Sequence, residues 1–492
     1  VDSHKLKILF ISSEVEGFSK TGGLADVAKS LPIELRNLGH EVVIVTPFYR
    51  TLNHREHAKQ THLLNLHTDS SRPDIQFSVQ ELSLDGIKVL GIDNAHYFDR
   101  PGLYGEENNA YPDNGERFAF FSLAALLTAL AEDFSPDIIH CNDWHTGLIP
   151  YLLKSRFHNN SFFTNSKTVI TSHNSAFQGI FEKSQLNLIP EVSACMDERV
   201  LENYSYINFL KVGVLYADKV NTVSPNYASE LLTPLGSHGM SNHFIERIHD
   251  FQGILNGCDY NDWSPKTDKL IPFNFDSNDL TGKHKCKAAL QEEVGLEAID
   301  VPVFGMVCRL TDQKGFGLII PILDRFLQHN VQLIIVGSGD PSITGHLTAL
   351  ASHYKDKFKF IDAYSNELSH LIEAGSDFFM MPSIFEPCGL NQLYSLAYGT
   401  LPIVRAVGGL KDTVIDYDQD PDNANGFMFY DPNPNQLLNI LRRALLLYIE
   451  QPEEMLRLKK QAMQSHFYWS DSAKRYERLY HDALHLDQHW EN

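Results

Sequence analysis

The sequence predicts an α/β chain made of two doubly wound, Rossmann-like domains, each on a parallel sheet. Short β-branched runs alternate with amphipathic helical patterns, as βα units require, and the alternation stops and begins afresh in the second half. The length agrees, since 492 residues exceed what one core usually organises and divide naturally into domains of roughly 200 to 250 residues.

The first series of strands is read at 8–11, 42–45, 137–140 and 168–171, and the second at 303–307, 333–337, 378–381 and 401–404. Between them, 253–275 is rich in Asn, Asp, Pro and aromatic residues, the composition of an interdomain connection. The expected domains are therefore 1–252 and 253–460. The tail, 461–492, is helical in pattern and is expected to cross back and brace the first domain.

Composition narrows the partners. A net charge of −21 repels phosphate backbones and anionic lipid, and no local basic patch offsets it, so neither nucleic acid nor membrane is expected as a partner. A neutral polymer meets no such barrier. The six cysteines carry no CxxC pairing, which argues against a zinc site or a disulfide framework and fits a reducing compartment. No run approaches the roughly 18 to 20 apolar residues of a membrane span, and no export signal is visible. The expected location is a bacterial cytoplasm, or a plastid if a transit peptide has been removed.

Several polar sets fall just past predicted strand ends, the edge where doubly wound sheets bind ligands. Lys20-Thr21-Gly22-Gly23-Leu24 joins the first strand to a helical pattern; its adjacent glycines let backbone N–H groups approach an anion, and Lys20 adds a charge. The spacing matches neither the Walker loop nor the dinucleotide fingerprint. Asn142-Asp143-Trp144-His145 and His173-Asn174 follow two later strands. The Asp-Trp-His triplet reads either as an acceptor, a sugar-stacking plane and a donor, or as a capping Asp beside a packed Trp. In the second half, Arg309 and Lys314 follow the first strand of the restarted series, where a guanidinium fork and a point cation can share a diphosphate. Glu386-Pro387-Cys388-Gly389-Leu390 supplies a carboxylate for sugar hydroxyls beside a Gly turn; the Cys388 thiol reads as packed rather than nucleophilic. Gly408-Gly409 forms a second Gly-Gly helix entry, and Gly337-Ser338-Gly339 a turn suited to a nucleoside pocket.

Taken together and in order, 20–27, 142–147, 173–179, 222–227, 253–263, 309–315, 337–341 and 382–393 with 408–414 closely resemble the bacterial glycogen synthase and plant starch synthase family. The resemblance implies the glycosyltransferase type B architecture, two Rossmann-like domains facing a cleft. It implies a retaining transfer of glucose from ADP-glucose, or UDP-glucose, to the non-reducing end of an α-1,4-glucan, by front-face attack without a protein nucleophile and without cofactor or metal. By the same resemblance, Arg309 and Lys314 bind the diphosphate, Gly22 and Gly23 close over it with Lys20 near, and Glu386 holds glucosyl hydroxyls with main-chain donors at Cys388, Gly389 and Leu390. His173 and Asn174 lie beside the reacting carbon, and Asp143 on the acceptor side. Tyr394 stands where the wider superfamily often carries a ribose-binding Glu that this family generally lacks.

Some positions depart from the family pattern: Ile384 stands where Arg is common, Val407 where Thr is common, and Ser172 and Ser175 replace apolar residues around His173-Asn174. Residues 239–243 have lost part of a Gly-containing loop. These departures keep open an alternative, a catalytically silent glucan- or nucleotide-binding regulator on the same fold.

Overall fold

The structure, a computed structural model, describes residues 5–68, 71–194 and 197–485. It comprises two compact units. One holds the chain up to Asn256 together with the residues from Trp469 onward, and the other is Gly257–Tyr468. The first division thus falls at Asn256 rather than 252, and the return to the first unit at Trp469 rather than 461.

The first unit is built on a nine-stranded sheet. Its strands are β1 (Lys7–Ile11), β2 (Glu41–Pro47), β3 (Lys59–Leu66), β4 (Ile75–Leu84), β5 (Ile87–Asp93), β6 (Ile138–Asn142), β7 (Lys167–Ser172), β8 (Lys219–Thr222) and β9 (Phe251–Gly253), in the spatial order β9-β8-β7-β6-β1-β2-β5-β4-β3. All pairings are parallel except those of β4 with β3 and β5. Residues Ile8, Leu9, Phe10 and Ile11 are fully buried, as a central strand covered on both faces requires. The antiparallel β3–β4 addition was not read from the sequence. Its residues are mostly exposed or half-buried, with few buried positions, a signal weaker than a continuous apolar run.

Strand order reverses beside β1, with later strands on both sides of it, so the loops leaving β1 and β6 flank the topological switch point. The tail helix Trp469–His485 packs on this unit through Trp469, Ala473, Tyr476, Leu479, Tyr480 and Ala483, an i, i+4, i+7, i+11 stripe. A directional chain of buried hydrogen bonds holds it. The Tyr480 hydroxyl donates to His140 Nδ1 (2.6 Å), His140 Nε2 to Thr171 Oγ1 (2.7 Å), Thr171 to Asn221 Oδ1 (2.6 Å), and Asn221 Nδ2 to the Tyr476 hydroxyl (3.0 Å). The preceding helix, Pro452–Met463, belongs to the second unit, because its buried face of Met455, Leu458 and Ala462 enters that core.

The second unit carries a six-stranded, wholly parallel sheet: β10 (Val303–Val307), β11 (Gln332–Val336), β12 (Phe358–Ile361), β13 (Phe378–Met381), β14 (Leu401–Arg405) and β15 (Phe427–Phe429), ordered β12-β11-β10-β13-β14-β15. Its switch point lies between β10 and β13. The five cysteines among the described residues are free thiols; Cys195 lies outside the described residues.

Candidate functional site

In the first unit the loop leaving β1 is organised by Glu14, a buried carboxylate. It accepts hydrogen bonds from the backbone amide of Thr21, the Thr21 hydroxyl (2.9 Å), the Gly22 amide (3.3 Å) and the Tyr104 hydroxyl (2.7 Å). These bonds present Gly22 at the start of the helix Gly23–Asn37, whose N-terminus carries no side-chain cap. Gly22 has φ −164°, which any residue can adopt, and a Cβ added there meets nothing within 4 Å. Neither conformation nor packing therefore requires glycine at 22. What remains is an open approach to the backbone at a helix N-terminus, the setting that favours phosphate groups. Lys20 is turned to Glu16 (2.7 Å) and Asp26 (2.8 Å), so its charge at this loop is already shared with two carboxylates.

At the end of β6, Asp143 adopts φ 58° and ψ −174°, a conformation that normally belongs to glycine and costs about 1–3 kcal/mol elsewhere. Its surroundings hold it there. The Asp143 amide donates to Thr171 O (2.9 Å), and Asp143 Oδ1 accepts the His173 amide (2.6 Å). Burial pushes this carboxyl up to about 7, against the backbone N–H groups of His173 and Asn174 that favour its charged form. In the structure Asp143 positions the His173 loop.

His173 Nε2 lies 2.9 Å from Asn142 Oδ1. Because Asn142 Nδ2 donates to Ile11 O (2.9 Å), its Oδ1 must accept, so Nε2 carries the proton. Burial pushes the His173 imidazole down to about 3, leaving it neutral with Nδ1 as an acceptor. Asn174 Oδ1 accepts from the Ala176 amide (3.0 Å). Trp144 is not a stacking plane: it is buried against His145, Phe118 and Phe181, and a Cβ at Gly179 would lie 2.5 Å from its ring.

In the second unit the two switch-point loops, leaving β10 and β13, are laced together. Lys314 Nζ bonds Glu386 Oε2 at 2.9 Å, Ser383 Oγ donates to the same oxygen (3.0 Å), the Ile384 amide donates to Gln313 O (2.8 Å), and Gln313 Nε2 to Phe385 O (3.2 Å). Gly315, at φ +86°, lets the chains cross, because a Cβ there would lie 2.0 Å from Pro382 O. Arg309 is exposed, and its guanidinium has no partner among the described residues. A partnerless guanidinium beside a Lys–Glu pair at the ligand edge is poised for an anion.

Several glycines expected to contact substrate also have a packing role. A Cβ at Gly337 would lie 1.8 Å from Cys308 O, so this glycine seats the Gly337–Gly339 turn against the loop that carries Arg309. A Cβ at Gly408 would lie 1.6 Å from Glu386 O, and one at Gly409 2.3 Å from Cys388 O. The second Gly-Gly pair thus fixes the Glu386 loop from behind. Tyr394 stacks on Trp263 at 3.8 Å, and Trp263 on His370 at 3.7 Å, so one face of the Tyr394 ring is packed. Cys388 is buried; Gly389 turns the chain at φ +79° and Leu390 is half-buried.

Sequence comparison decides the family. Residues 7–246 match the starch synthase catalytic domain, and residues 291–465 match glycosyl transferases group 1. The chain is 56% identical to a glycogen synthase of Aeromonas hydrophila over 97% of its own length and 98% of that protein, and 51% identical to one of Vibrio cholerae over the same shares. The chain belongs to the glycogen synthase family. Members are glucosyltransferases that build glucan, and this chain is an enzyme of that kind. Among solved structures it is similar to the catalytic domain of starch synthase IV from Arabidopsis thaliana bound to ADP and acarbose, with a TM-score of 0.89 and 31% identity, covering 98% of this chain and 99% of that one. A sucrose-phosphate synthase from Thermosynechococcus elongatus shares the fold, with a TM-score of 0.60, 20% identity and coverage of 96% and 98%. These neighbours place the chain in the glycosyltransferase type B architecture.

Three sites that depart from the expected pattern have definite local settings. Ser172 and Ser175, both buried, share a hydrogen bond of 2.7 Å in which one hydroxyl donates and the other accepts, so the two polar side chains partner each other in place of apolar ones. The backbone of Ile384, where the family often has Arg, is held by Arg405, which donates through Nε to Ser383 O (2.8 Å) and through a terminal nitrogen to Ile384 O (2.5 Å). Val407 is buried in the apolar layer with Met381 and Val404. Glu14, Tyr104, Gln313 and Arg405 were not singled out from sequence. Glu14 had a usable signal, an acidic residue three past the end of β1 at the ligand edge.

Proposed function

We propose that this glycogen synthase family member transfers glucose from ADP-glucose to O4 at the non-reducing end of an α-1,4-glucan, with retention of configuration. The observation that carries the reading is the exposed Arg309, whose guanidinium has no partner among the described residues, beside the Lys314–Glu386 pair. Arg309 and Lys314 neutralise the departing diphosphate, and Glu386 holds glucosyl hydroxyls; in the first unit, Gly22 gives a phosphate access to backbone amides and His173 Nδ1 accepts from the sugar. The bond between glucose C1 and the phosphate oxygen breaks as the C1–O4 bond forms, and the O4 proton passes to the leaving phosphate. Retention without a covalent intermediate is supported by the carboxylates at these loops, each already engaged: Glu14 by four donors, Asp143 by the His173 loop and Glu386 by Lys314 and Ser383. Stabilisation of leaving-group charge by fixed cations is then the main source of rate. The ADP bound to the similar Arabidopsis starch synthase domain favours adenosine over uridine diphosphate.

The test is incorporation of labelled glucose into glycogen from ADP-glucose and UDP-glucose in parallel, with Glu386→Ala and Lys314→Ala controls. Incorporation from ADP-glucose that is lost in both variants, into product fully digested by an α-1,4-specific hydrolase, is expected. Preferential use of UDP-glucose, or full activity in either variant, overturns it.

A further inference from the structure

The first unit carries a cluster of metal-ligating side chains outside the residues assigned to glucosyl transfer. The chain leaves β2 at Pro47 and, before β3 begins, makes one 3₁₀ turn over Arg55–His57, with His54 as the residue that enters it. A 3₁₀ helix has three residues per turn, so side chains at i and i+3 eclipse. His54 and His57 therefore stand on one side of the turn, their rings stacked 6.0 Å apart at 24°. Glu56 Oε1 lies 3.3 Å from His57 Nε2. All three side chains are exposed, and each offers a ligand atom within 4.8 Å of the other two. Among the described residues no other three His, Cys, Asp or Glu side chains gather this closely.

The turn presents these donors while its own cation is engaged elsewhere. The Arg55 guanidinium donates to Phe48 O (3.2 Å) and Tyr49 O and lies 4.0 Å over the Phe48 ring. The His57 amide donates to His54 O (3.0 Å), which closes the turn. The turn is anchored on the loop that leaves β1: the Asn53 amide donates to Phe18 O (2.8 Å), and the His54 ring meets the Phe18 ring edge to face at 6.2 Å. The backbone under the histidines is thus fixed before any ion arrives, which lowers the ordering cost of binding one.

We propose that His54, Glu56 and His57 bind one borderline first-row divalent ion, of the Zn²⁺ class. Two imidazole nitrogens and a carboxylate oxygen form a donor set that zinc takes with water completing the tetrahedron. Nitrogen donors favour such ions over Ca²⁺ and Mg²⁺, which take oxygen. Zinc holds these ligands at about 2.0–2.2 Å, which sets the donor atoms of a tetrahedral site about 3.4 Å apart. Glu56 and His57 already stand at that separation, and rotation of the exposed His54 side chain brings in the third donor. A net charge of −21 draws cations to the surface of the chain. The lack of CxxC pairs bears on thiolate sites, whereas this one is built on imidazoles. The proposal does not depend on the reading of the transfer site.

Zinc chloride, with magnesium chloride as comparison, is titrated calorimetrically into the full, chelator-treated chain at pH 7.5, using the parent and the variants His57→Ala, His54→Asn, Glu56→Gln and His481→Ala. Asparagine suits position 54, where φ is 63°, because it tolerates the left-handed region. His481→Ala accounts for another close imidazole pair, His481 and His485, whose rings stack at 6.3 Å on the tail helix. The expected result is a tightest class of one Zn²⁺ per chain, in the micromolar range, that Mg²⁺ does not occupy. It weakens by about tenfold or more in His57→Ala and His54→Asn, at least what loss of a ligand's supporting partner costs, weakens less in Glu56→Gln, and persists in His481→Ala. The three side chains are exposed, so an unchanged urea midpoint in each variant shows that lost binding is not lost folding. Absence of saturable Zn²⁺ binding in the micromolar range, unchanged affinity in His57→Ala, or loss of the site in His481→Ala overturns the proposal.

Discussion

Replacing Gly22 by alanine separates a glycine kept for a ligand from one kept for the fold. At φ −164° alanine is unstrained, and its methyl group meets nothing within 4 Å. Stability should therefore be unchanged, or raised by about 0.4–1 kcal/mol through the lower entropy of the unfolded chain. Catalysis should suffer, because the methyl occupies the approach to the backbone and holds a phosphate back by about 1 Å, a displacement that costs on the order of 10²-fold in rate. Gly408 is the contrast. At φ +46° with Glu386 O 1.6 Å from the added Cβ, alanine meets left-handed strain of about 1–2 kcal/mol and overpacking of about 1–3 kcal/mol. Urea denaturation of both variants, with steady-state glucan synthesis, provides the comparison. Gly22→Ala with full kcat/KM, or with a lowered denaturation midpoint and unchanged kinetics, refutes the argument that this glycine serves a ligand.

Arg309→Ala removes an exposed side chain with no partner among the described residues, so its denaturation midpoint should match the parent while kcat and kcat/KM fall together; unchanged kcat would show that the guanidinium stabilises no charge in the transition state. Acidification should destabilise the first unit through His173 and His140, which burial pushes down to about 3. Each is neutral when folded but takes up a proton near pH 6.5 when unfolded, so their contribution is complete above about pH 6.5 and is lost as pH falls toward 3. Against the parent, His173→Asn should lose less stability between pH 6.5 and 4, by a slope of about one proton, measured by denaturation across that range. Tyr480→Phe leaves buried His140 Nδ1 without its donor and should cost about 1–3 kcal/mol by urea denaturation, with no change in KM.

How much could be read in advance follows from how local each signal is. The central strands announced themselves because a strand buried on both faces is a continuous apolar run, and the restart at Val303 divided the chain. The tail begins at Trp469 rather than at 461, because the end of the Pro452–Met463 helix is buried in the second unit. Arg309, Lys314, Glu386 and His173 could be picked out because they stand just past strand ends, which is where a βα sheet binds. Gly337, Gly408 and Gly409 stand at comparable places, yet their glycines answer to carbonyl oxygens of segments distant in sequence. Spacing along the chain cannot distinguish a backbone approached by a ligand from one approached by another strand's loop.

The sequence by itself determined the fold class, the pair of parallel-sheet units, the family and the ligand edge of each sheet, because these rest on periodicity and on residues adjacent to strand ends. Only the tertiary structure decided which polar groups are spent and which are left over. It gave Asp143 to the His173 backbone, packed Trp144 and one face of Tyr394, gave Glu14 to the Gly22 loop, left the Arg309 guanidinium without a partner among the described residues, and set Lys287 and Lys459 on Asp377. Hydrogen bonds and ion pairs form between groups brought together by folding from positions far apart in the chain, so their accounting exists only in three dimensions.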